Sequence, residues 1–228
     1  MRTTGGRVLA AGGPRAERVW RWPSTLASGG AAAVGFAVLA YATHAGLTDG
    51  LDWRASWALH AHASVWVTAL MVMISTLAEP AMAVAFSAWV GWVAFRRGDG
   101  RGAGVALGTV WLAGGLNFVL KHLFHRPRPE LWAAQDAHPG FGFPSWHMMA
   151  AVAVGGTLAM VVGRLYPRAR RALGAGVVAL AVAVGVSRVY LGLHWTSDVL
   201  AGACVGWVLL LVAASALEAR PFQPLPTR

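Results

Sequence analysis

The chain is poor in charge, in acid, in lysine and in cysteine. Only 12% of its 228 residues are charged and 57% are hydrophobic, whereas a soluble globular domain carries roughly 25% charged residues. That shortage excludes an ordinary water-facing surface and implies a chain whose surface meets lipid. The single cysteine, Cys204, excludes an intramolecular disulfide and a cysteine-rich metal cluster. Asp+Glu number 9 against 19 Lys+Arg, for a net charge of +10, and Lys121 is the only lysine. In a soluble protein this balance would point to nucleic acid. In so apolar a chain the positive-inside rule accounts for it, and no nucleic-acid partner is implied. No internal repeat is visible.

Apolar runs lie at about residues 26–43, 80–95, 103–122, 147–165, 172–190 and 197–217. Each is long enough to approach the roughly 20 helical residues that cross a hydrocarbon core. The expected fold class is therefore all-α: a multi-pass membrane helical bundle of about six transmembrane helices with short interfacial helices. The segment 51–78 is broken by Asp52, Arg54, His60 and His62 and ends at Glu79-Pro80. It reads as a short interfacial helix followed by a partly inserted one, with a seventh span at about 64–78 as the alternative.

Basic residues decide between these. Arg2, Arg7, Arg15, Arg18 and Arg21 precede the first span, Arg96, Arg97 and Arg101 follow the second, Arg164, Arg168, Arg170 and Arg171 follow the fourth, and Arg220 and Arg228 end the chain. With six spans these 14 of the 19 basic residues fall on one side, which the positive-inside rule makes the cytoplasm. Both termini are then cytoplasmic, in an inner membrane. The expected organisation is a basic cytoplasmic tail at 1–22, a six-span domain at 23–217 and a cytoplasmic tail at 218–228. The first run, with Ala40-Tyr41-Ala42 behind it, resembles a signal peptide but is long for one, so an uncleaved span is expected. The spacings Gly202/Gly206 and Gly104/Gly108 suggest close helix packing.

The remaining basic residues, Arg54, Lys121, Arg126, Arg128 and Arg188, lie on the outer side, against the rule. Three clusters hold most of them. In the first, Lys121 ends the third span and Pro127 and Pro129 then forbid helix, so that Lys121 and Arg128 can converge on an anion without a nearby acid partner. The second, Phe143-Pro144-Ser145-Trp146-His147, opens the fourth span, where a hydroxyl and free N–H groups favour an anion. The third runs from Ser187-Arg188 to His194 and Asp198 between the fifth and sixth spans. If helical, His194 and Asp198 share a face, and the carboxylate can accept Nδ1–H and leave Nε2 free.

All three clusters fall at the outer ends of their spans, although the topology was set without them. Two imidazoles, a carboxylate, a hydroxyl and three cations suit phosphoryl transfer, in which one histidine attacks and another protonates the leaving oxygen. No metal or other cofactor is expected, because a single acid facing three cations is a poor metal site. An anion transporter is the competing class, but polar groups at the midplane are lacking. A silent scaffold is another. His125 and Arg126 are candidate headgroup contacts, Glu130 and Asp136 candidate headgroup selectors, and His44, His60, His62, His122 and His138 are unassigned.

On these residues the chain resembles the type 2 phosphatidic acid phosphatase superfamily, membrane lipid phosphatases related to vanadium haloperoxidases. Lys121, Arg128 and Pro129 match K-x-x-x-x-x-x-R-P, Pro144, Ser145 and His147 match P-S-G-H, and Ser187, Arg188, His194 and Asp198 match S-R-x-x-x-x-x-H-x-x-x-D. The resemblance covers about residues 50–215. It implies a lipid phosphatase with its site near the outer surface, His194 as a nucleophile that forms a phosphohistidine, Asp198 as its orienting partner and His147 as general acid. It also implies a phosphate held by Lys121, Arg128, Ser145, Arg188 and the backbone N–H of Trp146. Candidate substrates are polyprenyl (undecaprenyl) pyrophosphate, which is favoured because carrier recycling needs an outward-facing site, phosphatidylglycerophosphate, phosphatidic acid and a lipid A phosphate; phosphotransfer to an acceptor other than water is a variant. The sequence sets no oligomeric state. Trp146 stands where the family has glycine, so either its indole turns away from the phosphate or the phosphate site is altered.

Overall fold

The computed structural model describes residues 25–129, 131–132 and 140–219. The tail at 1–22, residues 23–24 of the expected domain's edge, the C-terminal tail from 220 on, and Glu130, Asp136 and His138 lie outside the described residues. The described residues form helices and no strand, in the order α1 (Thr25–His44), α2 (Asp49–His60), α3 (Val65–Thr76), α4 (Pro80–Arg96), α5 (Gly100–Phe124), α6 (Trp146–Leu165), a 3-10 turn at Pro167–Ala169, α7 (Arg170–Tyr190) and α8 (Thr196–Glu218). Helices α1, α5, α6, α7 and α8 are each long and apolar enough to cross a membrane, and α3 with α4, bent by 50° at their break, form a sixth candidate span. The broken segment thus contains two short helices, as expected. Thr68 and Ser75 of α3 both touch the C-terminal end of α7, so α3 stays at one end of the bundle rather than adding a seventh crossing.

Local chemistry sets the helix ends. Ser64 caps α3 by accepting Val67 N–H at 3.3 Å, and Asp99 caps α5 by accepting Gly102 N–H at 2.8 Å, each satisfying an orphan donor of the first turn. Pro80 opens α4 at a position where its missing N–H costs nothing. Helix α5 closes on His125 in the left-handed region, φ 47°, and Pro127 prevents its continuation. Gly192 ends α7 at φ +68°, and a Cβ there would lie 2.7 Å from Trp132 Nε1, so only glycine fits this turn.

Helix α6 is the centre of the bundle, against α4, α5, α7 and α8. In lipid, helices associate through close packing rather than through expulsion of water, which favours small residues at their contacts. A Cβ on Gly202 would lie 2.6 Å from the Ser145 carbonyl oxygen, and one on Gly206 3.0 Å from that of Met149. The expected Gly202/Gly206 contact is therefore the α6–α8 seam. The Gly104/Gly108 pair is not a contact: a Cβ at either position meets nothing within 4 Å, and both glycines lie on an exposed face of α5. Helix α1 packs on α8, with Gly35 against Cys204 Sγ and Phe36 5.7 Å from the Phe143 ring.

The two ends of the bundle differ. One carries Arg96, Arg97, Arg101, Arg164, Arg168, Arg170 and Arg171, and there Arg164 pairs with Asp99 at 3.0 Å and donates to Leu217 O at 2.7 Å. The other brings together the end of α5, the start of α6, the α7–α8 turn and the α3–α4 break. The three motif clusters meet at this second end.

Candidate active site

The first and third clusters contribute the cations, from helix ends and the loop beyond α5. Lys121 donates from the last turn of α5 to Phe141 O at 2.7 Å. Arg128, in the loop beyond, donates through NH1 to Leu193 O at 3.1 Å and approaches His194 Nε2 at 3.3 Å. Arg188, at the end of α7 and only 2% exposed, donates to Ser75 Oγ at 2.6 Å. Ser145 is the N-cap residue of α6, yet its hydroxyl makes no capping bond. Ser145 Oγ, Arg128 Nε, Arg188 Nε and His147 Nδ1 are buried without a hydrogen-bond partner among the described residues. Buried polar atoms are rarely left so, and the first N–H groups of α6 add further donors beside them. The chemistry of this donor set suits a tetrahedral oxyanion.

Facing the cations is His194, fully buried in the α7–α8 turn. Its Nδ1 lies 3.4 Å from Asp198 Oδ2, one turn into α8. Guanidinium nitrogen can only donate, so the Arg128 contact makes Nε2 an acceptor and leaves the proton on Nδ1, toward Asp198. Burial, and then the charges of Arg188, Arg128 and Lys121, push the His194 imidazole well below its ordinary pKa, because each disfavours a further positive charge. The ring is thus neutral with Nε2 available as a nucleophile. The Asp198 carboxylate is also anchored by Trp195 N–H at 3.0 Å, and Asp198 O accepts Ser145 N–H at 3.0 Å, which ties the first turns of α6 and α8 together.

His147, on the first turn of α6, donates from Nε2 to Glu79 Oε1 at 3.2 Å. Trp146 resolves the departure from the glycine motif. Its indole donates to Ala78 O at 3.2 Å, lies 3.9 Å from a Cβ built on Gly114 and packs with the core between α5 and α6. The indole is engaged by these partners, and the backbone is helical rather than left-handed, so a glycine is not required there. Asn117 supports the same turn by donating to Pro144 O at 3.1 Å.

All eight candidate residues, Lys121, Arg128, Ser145, Trp146, His147, Arg188, His194 and Asp198, thus lie around one end of the bundle. Two expectations need correction. The first cluster does have acid partners: Arg126 binds Asp198 at 2.6 Å and Asp52 at 2.9 Å. Arg126 is therefore committed to carboxylates and is not a headgroup contact. Nor is Asp198 the single nearby acid, since Asp52 shares Arg126 with it and Glu79 binds His147; among the described residues no group of three or more His, Cys, Asp or Glu is arranged to hold a metal ion. Ser75, Glu79 and Asp52 lie outside the motifs, and Arg126 has a role other than the headgroup contact expected of it. For Glu79, Asp52 and Arg126 the signal was scarcity, for an ionisable residue next to an apolar segment is expensive and functional by default; Ser75 carried no such signal. His60, unassigned from sequence, stacks on Trp132 at 3.7 Å and bonds Tyr190 O at 3.2 Å, which anchors α2.

A membrane-crossing helical bundle with a buried histidine, a second histidine and three cations around an oxyanion site defines a phosphatase of lipid phosphates. The chain belongs to the PAP2 superfamily, whose model matches residues 102–221. It is 31% identical over 185 residues to phosphatidylglycerophosphatase B of Bacillus subtilis, covering 78% of this chain and 88% of that protein. It is 35% identical over 115 residues to lipid A 1-phosphatase of Rhizobium johnstonii, covering 46% of this chain and 44% of the relative. Among solved structures, the transmembrane PAP2-type phosphatidylglycerolphosphate phosphatase of Bacillus subtilis superposes with a TM-score of 0.78 at 27% identity, covering 82% of this chain and 94% of that one.

Proposed function

We propose that this membrane lipid phosphatase hydrolyses a lipid phosphate monoester through a phosphohistidine on His194. The observation that carries the reading is the buried His194 with Nε2 among the cations and Nδ1 toward Asp198. The phosphoryl group is held by Lys121, Arg128, Arg188, Ser145 Oγ and the N–H of Trp146. Their charges offset the negative charge of the equatorial oxygens. His194 Nε2 attacks phosphorus while the ester P–O bond breaks, and His147 gives its proton to the leaving oxygen. Water then attacks the phosphohistidine. His147 takes the proton from that water, the P–N bond breaks and inorganic phosphate leaves. No step calls for a metal ion or cofactor.

The names of the relatives give phosphatidylglycerophosphate precedence over the polyprenyl pyrophosphate expected from sequence. Phosphatidic acid and a lipid A phosphate stay in the panel. An apolar cleft of about 580 Å³ lies between the α3–α4 break, α6 and α7, with Leu77 and Ala78 at one end and Val162 and Ala169 at the other. It offers a path for a lipid tail below the phosphate. The arginine-rich end is assigned to the cytoplasm by the positive-inside rule, which puts the site at the outer face of the inner membrane, with residues 1–22 and 218–228 as cytoplasmic tails around the 23–217 domain.

Phosphate release by purified protein in EDTA tests the reading. The panel is phosphatidylglycerophosphate, phosphatidic acid, polyprenyl pyrophosphate and a lipid A phosphate, each with wild type and His194→Ala. Release that is fastest on phosphatidylglycerophosphate and absent in the variant is expected. Preference for the pyrophosphate would overturn the substrate choice, and turnover by His194→Ala would overturn the mechanism.

A further inference from the structure

Arg126 falls on an open position of the motif between Lys121 and Arg128, and no step above uses it. Its guanidinium is 14% exposed and lies between two buried carboxylates, Asp198 at 0% and Asp52 at 3%. NH1 donates to Asp198 Oδ1 at 2.6 Å and to Ser197 Oγ at 2.7 Å. NH2 donates to Asp52 Oδ2 at 2.9 Å and approaches Thr48 Oγ1 at 3.4 Å. Asp52 Oδ1 in turn accepts Ser197 N–H at 2.9 Å. The ring closes: Arg126 to Asp198, along the chain to Ser197, across to Asp52 and back to Arg126.

We propose that Arg126, held by Asp52, is a positioning residue for the His194–Asp198 pair, and that helix α2 is thereby a working part of the active site. The inference rests on the reading of His194 as nucleophile. Asp198 divides its two oxygens. Oδ1 is gripped by Arg126, and Oδ2 faces His194 Nδ1 and Trp195 N–H. Gripping one oxygen fixes the rotation of the carboxylate and so presents the other to the imidazole. Charge adds a second reason. Lys121 and Arg128 both attract Asp198. Without a cation on its far side, the carboxylate is drawn toward the cations that should receive phosphate. Arg126 supplies that opposing cation, and Asp52 keeps the guanidinium in place. The planar fork binds two carboxylates at once, which a lysine ammonium does not reproduce.

A merely structural tie between α2 and the bundle makes a different forecast. Helix α2 is also anchored by His60 on Trp132 and Tyr190, so loss of Asp52 does not by itself release it. Turnover of dioctanoyl phosphatidic acid in detergent micelles is measured for wild type, His194→Ala, Asp198→Asn, Arg126→Gln, Arg126→Lys, Asp52→Asn and the double variant Arg126→Gln/Asp198→Asn. Positioning predicts that Arg126→Gln lowers kcat about 10- to 100-fold while KM stays within about twofold, the pattern of an interaction acting only in the transition state. Arg126→Lys recovers little, and Asp52→Asn shifts kcat in the same direction by less. The double variant is no slower than Asp198→Asn alone, because both changes break one device. A raised KM at constant kcat, independent multiplication of the two losses, or unchanged turnover in Arg126→Gln overturns the inference. If Arg126→Gln does not fold, Arg126→Lys and Asp52→Asn are judged by the same kcat and KM criteria. Turnover by His194→Ala sinks the nucleophile reading itself, whereas an inactive His194→Ala beside a normal Arg126→Gln sinks only this proposal.

Discussion

Replacing Gly202 with alanine is expected to slow turnover strongly in a protein that still folds. Gly202 lies one turn beyond Asp198, at the point where α8 crosses the first turn of α6. The added Cβ would lie 2.6 Å from the Ser145 carbonyl oxygen and 3.2 Å from Met148 Cβ, against ordinary contacts of 3.4 Å or more. The seam must open from 2.6 to 3.4 Å, a displacement of about 0.8 Å. The backbone of α6 resists, so the two helix starts separate. His194 and Asp198 move with α8, and Ser145 and His147 with α6. A misplacement of about 1 Å costs on the order of 100-fold in rate, so a loss of tens-fold to about 100-fold is expected. Overpacking destabilises by about 1–3 kcal/mol, which thermal unfolding in detergent reads separately. Gly104→Ala is the control, because a Cβ there meets nothing within 4 Å, and it should retain the wild-type rate. A Gly202→Ala protein with wild-type turnover would refute the idea that this seam sets the geometry of the site.

Three further outcomes follow from the same geometry. Ser145→Ala removes a buried hydroxyl without a hydrogen-bond partner among the described residues, so stability should hold or rise while kcat/KM falls about 100-fold, the usual cost of one oxyanion donor; an unchanged kcat/KM contradicts the phosphate-binding role. His194 is held well below the ordinary histidine pKa, so its folded form stays neutral where an unfolded histidine gains a proton; it therefore contributes a stability penalty that grows as pH falls below about 6.5. Nitrogen NMR of ¹⁵N-histidine protein at pH 6 should show a neutral His194 ring protonated at Nδ1, and a doubly protonated ring contradicts the assignment. Trp146→Gly restores the family glycine but removes the indole packed between Ala78 and Gly114. It should cost about 2 kcal/mol, roughly half the price of emptying a fully buried Trp site, with no gain in phosphate affinity, and a lowered KM would contradict the view that the indole is irrelevant to the phosphate.

The spans were legible because lipid imposes a long, uninterrupted apolar pattern, and the motif residues were legible because few ionisable groups interrupt it. Helix α1 and helices α5–α8 lie where their apolar runs are, and the interfacial character of 51–78 followed from its own punctuation. What escaped was long-range pairing. Asp52 and Arg126 are 74 residues apart, and Glu79 and His147 are 68 apart; nothing in the neighbourhood of either member announces the other. The two glycine spacings looked alike in sequence, yet only Gly202/Gly206 faces a helix, since spacing places residues on one face without saying what covers it. Glu79 was read as the end of a segment because Pro80 follows it, although its side chain bonds His147. The side-chain direction of Trp146 was likewise open until its partner Ala78 was placed.

The most direct test of the central claim is to trap the phosphorylated enzyme. The protein is mixed with a ³²P-labelled lipid phosphate, quenched in alkali within one turnover and digested, and the label is located. The account predicts an alkali-stable, acid-labile phosphate on the peptide that carries His194, absent from His194→Ala and formed more slowly in His147→Ala, which lacks the proton donor to the leaving oxygen. Label on another residue, or rapid single-turnover hydrolysis that passes through no labelled protein, would contradict it.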